Sequence, residues 1–183
     1  MRADARRNYE RLVEAARKVF ADQGSSASME AVAKQAGVGV GTLYRHFPKR
    51  IDLVEALWRE DVDMLVAAPE QGLADLEPWD ALEAWLRAFV AYARTKRVFL
   101  AELHEAFEKQ PDMKSASRER IHQAAERVLT RAQAAGAARS NLAADDLMQL
   151  ISPICTSATI TTEQVDRVLP VILDGLRPSP IPS

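Results

Sequence analysis

The chain has 183 residues, 48% of them hydrophobic and 27% charged, which is enough apolar material for one large domain or two small ones. The single cysteine, Cys155, excludes an intrachain disulfide, and no window reaches the roughly 18 uninterrupted apolar residues that a membrane span requires. The first twenty residues lack the apolar stretch of a signal peptide, so these totals predict a soluble cytoplasmic protein.

Four helices are predicted in the N-terminal third, because apolar residues recur there at helical spacing. The second begins after Ser28, whose side chain stands where an N-cap oxygen belongs, and it ends at Gly37. A third helix fits residues 40–47. Pro48 is then expected to open a fourth helix, which runs to about Ala68.

The remainder of the chain predicts five more helices, so the fold class is all-α with about nine helices. Pro69, Gly72 and Pro78 mark the loop that precedes them. Pro153 and Pro170 lie inside the last two helices, where each removes a backbone hydrogen bond and should kink its helix. The five helices cover approximately residues 79–95, 97–109, 113–135, 144–160 and 163–176.

Charge is distributed unevenly along the chain. Residues 1–50 contain ten Lys or Arg against five Asp or Glu, a net of +5. Because the whole chain carries −2, residues 51–183 carry −7. A basic N-terminal quarter on an acidic remainder is typical of a protein with one end that meets a polyanion, although a chance cluster of solvated charges would give the same totals.

The stretch AGVGVGTLYRHFP, residues 36–48, has two possible interpretations. Alternating glycines suggest a phosphate-binding loop, but such a loop follows a strand, and the preceding MEAVAKQA has helical spacing. No Lys-Ser or Lys-Thr pair follows the glycines either. The stretch is better explained as a helix-turn-helix, in which Gly37 supplies a positive φ at the turn. Leu43 and Phe47 then anchor the second helix, and its opposite face enters the major groove.

The run VAKQAGVGVGTLYRHFPKRIDLV, residues 32–54, resembles the signature of TetR-type transcriptional regulators. The resemblance is dense over residues 9–58, and beyond it only the helix count and the closing LDGLRP are similar. In that family the first three helices bind DNA, later helices enclose a small-molecule pocket, and the last two form a dimer interface. The resemblance implies a DNA-binding domain at 1–55, an effector-binding and dimerisation domain at 56–177, and a proline-rich tail at 178–183.

The resemblance also implies which residues contact DNA. Tyr44 matches the family tyrosine that bonds a backbone phosphate, and Arg50 stands where the family usually has a lysine. Gly39 departs from the family, in which a serine or a similar residue caps the recognition helix. A packing role is the alternative for Tyr44, and a surface position at the helix end is the alternative for His46. The residues expected to contact DNA are Ser28, Lys34, Gly39, Val40, Gly41, Thr42, Tyr44, Arg45, His46, Lys49 and Arg50.

Aromatic residues concentrate on the middle helices, where they form either ordinary core or, as the resemblance implies, an effector pocket. The residues expected to line that pocket are Trp85, Phe89, Leu103, Phe107 and His122. No metal site is predicted, because His104 and His122 lie on different helices without carboxylate or cysteine partners at metal-binding spacing. No cofactor is predicted. Cys155 is either a buried inert thiol or, beside Pro153, an oxidant sensor.

The last two helices carry more apolar residues than peripheral helices leave exposed to water, which predicts a four-helix interface across a two-fold axis. A homodimer of this kind presents two recognition helices to a pseudopalindromic operator. The residues expected at the interface are Leu147, Leu150, Ile151, Ile154, Val165, Val168, Leu169, Ile172 and Leu176.

These patterns together predict a DNA-binding transcriptional repressor that a small-molecule effector releases from its operator. An activator, or a repressor without an effector, would use the same DNA-binding module. A small helical enzyme with a phosphate-binding glycine loop is the alternative from another class. It would need an acid–base pair or a partnered nucleophile, which the sequence does not suggest, so no enzymatic activity is predicted.

Overall fold

The computed structural model describes residues 2–71, 73–99, 103–104, 107–108, 111–157 and 159–178. Within these ranges the regular elements are helices and no strand occurs, as the periodicity predicted. The α-helices are α1 (Arg2–Gln23), α2 (Met29–Ala36), α3 (Val40–His46), α4 (Arg50–Gln71), α5 (Pro78–Val98), α6 (Pro111–Ala134), α7 (Ala144–Thr156) and α8 (Thr162–Leu176). None of the helices in this described part is long and apolar enough to cross a membrane.

Two predicted segments extend beyond the described residues. The helix expected at 97–109 is described only in part: α5 continues to Val98, and residues 103–104 and 107–108 are helical. The proline-rich tail lies outside the described residues from position 179 onward. The predicted domain boundaries at residues 55 and 177 stay predictions.

Pro69 was expected in a loop, and that expectation was wrong: α4 continues through it to Gln71. A proline has no N–H to donate to the carbonyl four residues earlier, here that of Leu65. Trp85 Nε1 donates to the Leu65 oxygen instead, at 3.0 Å. A side chain from α5 therefore satisfies the carbonyl that the proline leaves without its helical partner.

The start of α4 also differs from the prediction. Pro48 does not open the helix but lies two residues before Arg50, the first helical residue. The N–H of Lys49 donates to Asp52 Oδ2 at 2.8 Å, so a first-turn carboxylate satisfies one of the amides exposed at the helix start. The helix thus begins by side-chain capping rather than at a first-position proline.

Backbone contacts divide the chain into two compact units, one of Met1–Asp61 with Thr95–Asp112 and one of Val62–Arg94 with Met113–Ser183. In the first unit, α1 packs against α2 around fully buried side chains. An ion pair between Arg17 and buried Asp61 joins α1 to α4. The largest fully buried side chains of this unit include Leu12, Phe20, Leu43, Leu53, Leu57 and Phe99.

The second unit contains α6, α7 and α8 with the C-terminal part of α4 and most of α5. Gly136, at φ 67°, ends α6 as predicted. The largest fully buried side chains of the second unit are Trp85, Leu82, Leu86, Leu147 and Ile151.

Cys155 is also buried in this unit. Its burial raises the pKa of the thiol above the ordinary value, which favours the inert thiol over an oxidant sensor.

Candidate nucleic-acid interface

The turn between α2 and α3 has the geometry that the sequence predicts. Ser28 Oγ accepts a hydrogen bond from the amide of Ala31 at 3.1 Å and so caps α2. At the other end of α2, Gly37 has φ 63° and ψ 37°, the left-handed conformation that glycine adopts without a Cβ penalty. The amide of Val38 donates to the carbonyl of Ala33 at 3.0 Å, which closes the turn.

Arg11 completes this turn, a role that the sequence did not reveal. Its Nη2 donates to the carbonyl of Ala36 at 2.5 Å and to that of Gly37 at 3.3 Å. A positive charge at a helix C-terminus also interacts favourably with the helix dipole. A Cβ on Gly37 would lie 2.9 Å from Arg11 Nη2, so a larger residue would displace the end of this flexible side chain. The positive φ is what favours glycine here. Spacing along the chain gives no sign of this contact, because it joins residues 25 positions apart.

Helix α3 is anchored on one side and exposed on the other. Leu43 is fully buried and Phe47 nearly so, with the ring of Tyr9 5.2 Å from that of Phe47 between centroids. On the opposite side Val40 is exposed and Tyr44 is 42% exposed. Of the other expected contacts, Ser28, Lys34, Gly39, Gly41, Arg45 and Lys49 are exposed, and Thr42 and His46 are half-buried.

The glycines at the start of α3 stand in open space. Gly39 occupies the N-cap position with φ −67°, an ordinary value, and no side chain caps the helix there. A Cβ at Gly39 or at Gly41 would meet nothing within 4 Å. Packing within the chain therefore does not require either glycine. The expectation that they let a phosphate approach the backbone stays a prediction.

Tyr44 is joined to α2 through its hydroxyl group. The hydroxyl donates to Glu30 Oε1 at 3.3 Å, and the negative charge of Glu30 raises the pKa of Tyr44 above its ordinary value. Glu30 lies in the first turn of α2, where a carboxylate also interacts well with the helix dipole. The sequence analysis did not identify this partner for Tyr44.

Arg50 points inward. Its guanidinium group donates to the carbonyl of Ala27 and lies over the ring of Phe20, 4.9 Å from the centroid. The ring of Phe99 is 5.9 Å away on the same measure. These contacts fix the start of α4 against the residue that precedes the Ser28 cap. The phosphate contact expected of Arg50 stays a prediction, and it would require the side chain to leave these partners.

The residues expected to line an effector pocket divide between the two units. Trp85 and Phe89 stack in the second unit with ring centroids 5.8 Å apart, and His122 belongs to that unit too. Leu103 is buried in the first unit, where the ring of Phe107 packs edge-on against Trp58 at 5.2 Å.

Each of the two middle histidines has a carboxylate neighbour that the sequence analysis did not identify. His122 Nε2 lies 2.9 Å from Asp145 Oδ1, and His104 Nε2 lies 3.4 Å from Glu108 Oε1. In the described part of the chain, no group of three or more His, Cys, Asp or Glu side chains could hold a metal ion.

The residues expected at a dimer interface are of two kinds. Six are buried within the chain itself: Leu147, Ile151, Val165, Leu169, Ile172 and Leu176. Of the others, Leu150 is 45% exposed, Val168 is 37% exposed and Ile154 is half-buried. Val171, which the sequence analysis did not select, is 68% exposed.

An all-helical chain with a capped helix, a glycine turn and an outward-facing second helix belongs to the class of helix-turn-helix proteins. Residues 12–57 match the family model of bacterial regulatory proteins of the tetR family, and residues 77–178 match that of the SbtR-like transcriptional regulator C-terminal domain. The chain therefore belongs to the TetR family of transcriptional regulators.

Solved structures of this family are similar over nearly the whole chain. The TetR transcriptional regulator SCO0520 from Streptomyces coelicolor is 35% identical with a TM-score of 0.80, and the match covers 94% of this chain and 99% of that one. A TetR transcription regulatory protein from Mycobacterium vanbaalenii is 30% identical with a TM-score of 0.75, over 96% of this chain and 98% of that one.

Among curated relatives, the HTH-type transcriptional regulator SAUSA300_2515 of Staphylococcus aureus is 42% identical over 67 residues. That match covers 36% of each protein, so it spans about a third of the length of the relative.

Proposed function

We propose that this regulator binds double-stranded DNA by inserting α3 into the major groove and represses transcription from the site it covers. The observation that carries this proposal is the outward face of α3, where Val40, Tyr44 and Arg45 are exposed on a helix fixed by the Gly37 turn. Such a regulator would act in the cytoplasm, where the DNA is.

Selection of bound fragments from a random duplex pool tests the DNA-binding part of this proposal. We expect an enriched pseudopalindrome, and an affinity that falls steeply with salt because Lys and Arg side chains release counterions from the phosphates. No enrichment above the unselected pool would refute it. Reporter assays with the enriched sequence upstream of a promoter then separate repression from activation.

We propose a homodimer formed through α7 and α8. Support comes from the apolar side chains exposed on these helices, Leu150, Val168 and Val171, with Ile154 half-buried beside them. The six buried residues of the predicted set would support this surface from within each protomer. In analytical ultracentrifugation we expect the wild type to sediment as a dimer at micromolar concentration. Val171→Asp should shift it to monomer, whereas Met64→Asp, at another exposed apolar position, should not.

We also propose that a small-molecule effector weakens DNA binding, and that Trp85, Phe89 and His122 of the second unit contribute to its site. The pocket role expected of Leu103 and Phe107 stays a prediction. Only the family membership and the aromatic character of this set support the proposal. A screen of apolar compounds for a rise in melting temperature would identify candidates, since a ligand that binds the native state stabilises it. A true effector must also release the selected duplex, and Phe89→Ala should weaken its binding.

We propose that the chain acts without catalysis. Support comes from the position of the glycine stretch, which follows α2 and continues into α3, whereas a phosphate-binding loop follows a strand. Isothermal calorimetry with ATP and NAD should show no binding heat, and saturable binding of either would reopen the enzyme alternative.

A further inference from the structure

A carboxylate lies on the surface that is expected to face DNA. Glu30 is exposed in the first turn of α2, and its Oε1 accepts a hydrogen bond from the Tyr44 hydroxyl at 3.3 Å. Glu30 is the only Asp or Glu between Asp22 and Asp52, a stretch that contains four Lys or Arg. The helix dipole favours a carboxylate at this position, but the same charge also lies on the surface that is expected to meet phosphates.

The hydroxyl of Tyr44 has only one proton to donate. It can donate that proton to Glu30 or to a phosphate oxygen, but not to both at once. Because the Tyr44 hydroxyl is 3.3 Å from Glu30 Oε1, a phosphate bound at this hydroxyl would also lie close to the Glu30 carboxylate. Binding would therefore break one hydrogen bond and bring two negative groups together.

We propose that Glu30 limits the affinity of the protein for the phosphate backbone: it holds the Tyr44 hydroxyl in the free protein and repels phosphate in the complex. This inference rests on the proposed function, since it takes α3 as the DNA-binding helix. Glu30 reduces binding to every duplex alike, because both effects act on the backbone and not on the bases. A duplex is retained only when the contacts of the recognition helix with its bases offset this reduction.

Glu30→Gln tests the charge separately from the shape. The glutamine keeps the length of the side chain and an oxygen that can accept from Tyr44, but it carries no charge. Glu126→Gln is the matched control, because Glu126 is an exposed glutamate on α6 and its substitution changes the net charge of the chain equally. Melting temperatures of both variants show that the fold is kept.

Binding is measured by fluorescence anisotropy on two duplexes, the fragment most enriched by the wild type and its scrambled counterpart. At low salt we expect Glu30→Gln to bind both duplexes about threefold to tenfold more tightly than the wild type, and Glu126→Gln to bind like the wild type. Screening should shrink this gain as salt rises. In a Tyr44→Phe background the gain should be smaller, because no hydroxyl remains to be released from Glu30.

If the wild type binds DNA and Glu30→Gln binds equally or more weakly, this inference is overturned but the proposed function is not. A gain on only one duplex would also overturn it, since Glu30 would then read bases. An undiminished gain in the Tyr44→Phe background would overturn the link between Glu30 and Tyr44. Failure of the wild type to enrich or bind any duplex would overturn the proposed function, and this inference with it.

Discussion

Replacement of Gly37 by alanine should destabilise the helix-turn-helix for two separable reasons. Gly37 has φ 63°, and a residue with a Cβ pays about 1–2 kcal/mol in that left-handed conformation. The new Cβ would also lie 2.9 Å from Arg11 Nη2, so the end of this flexible side chain must shift, which weakens its hydrogen bond to the carbonyl of Ala36. Weakening of this partly exposed, charge-assisted hydrogen bond adds up to about 1 kcal/mol. We therefore expect Gly37→Ala to lower the free energy of unfolding by roughly 1–3 kcal/mol, and by more than the backbone term alone.

Gly136 provides a matched control for the backbone term. It has φ 67°, close to that of Gly37, but a Cβ there would meet nothing within 4 Å. Gly136→Ala should therefore cost only the left-handed penalty of about 1–2 kcal/mol. The assay is urea unfolding followed by circular dichroism, with Arg11→Ala added to each glycine variant. Equal losses for Gly37→Ala and Gly136→Ala, in the presence of Arg11, would refute the role assigned to that side chain.

Three further predictions concern other positions. Gly41→Ala should raise the free energy of unfolding by up to about 1 kcal/mol, because alanine favours a helix and the site is open. The same substitution should weaken DNA binding if a phosphate approaches this backbone. Chemical unfolding measures the first effect and fluorescence anisotropy the second. Trp85→Phe should lower the free energy of unfolding by about 1–3 kcal/mol in urea titrations, because the Leu65 carbonyl loses its donor and Pro69 has no N–H to replace it. An unchanged free energy of unfolding would contradict that hydrogen bond. Arg45→Ala should change which sequences are enriched from a random pool, and an unchanged preference would show that the register of α3 is wrong.

Local signals in the sequence identified most of the helix-turn-helix correctly. Ser28 was predicted as the cap of α2 and Gly37 as its left-handed end, because each role depends on the residue and its immediate neighbours. The burial of Leu43 and Phe47 followed from their spacing of four on one helix face. These features involve few residues and hardly depend on the rest of the fold.

Contacts between residues far apart in the chain could not be predicted from the sequence. Arg11 donates to the carbonyl of a helix end that lies 25 residues away in the sequence. Pro69 stays within α4, where the carbonyl of Leu65 accepts a hydrogen bond from the indole N–H of Trp85. Arg50 was expected to contact a phosphate, which stays a prediction, and the sequence did not indicate that its guanidinium group meets two aromatic rings and a carbonyl in the folded chain. In each case a side-chain donor has several possible acceptors, and tertiary packing decides which one it meets.

The most direct test of the DNA-binding proposal is an NMR titration of the ¹⁵N-labelled protein with the duplex that it enriches from the random pool. The largest amide shifts should fall on Val40–His46 and at the start of α2 around Ser28, and they should reach saturation. Saturable binding that leaves the amides of α3 unshifted would contradict the assignment of this helix to the major groove.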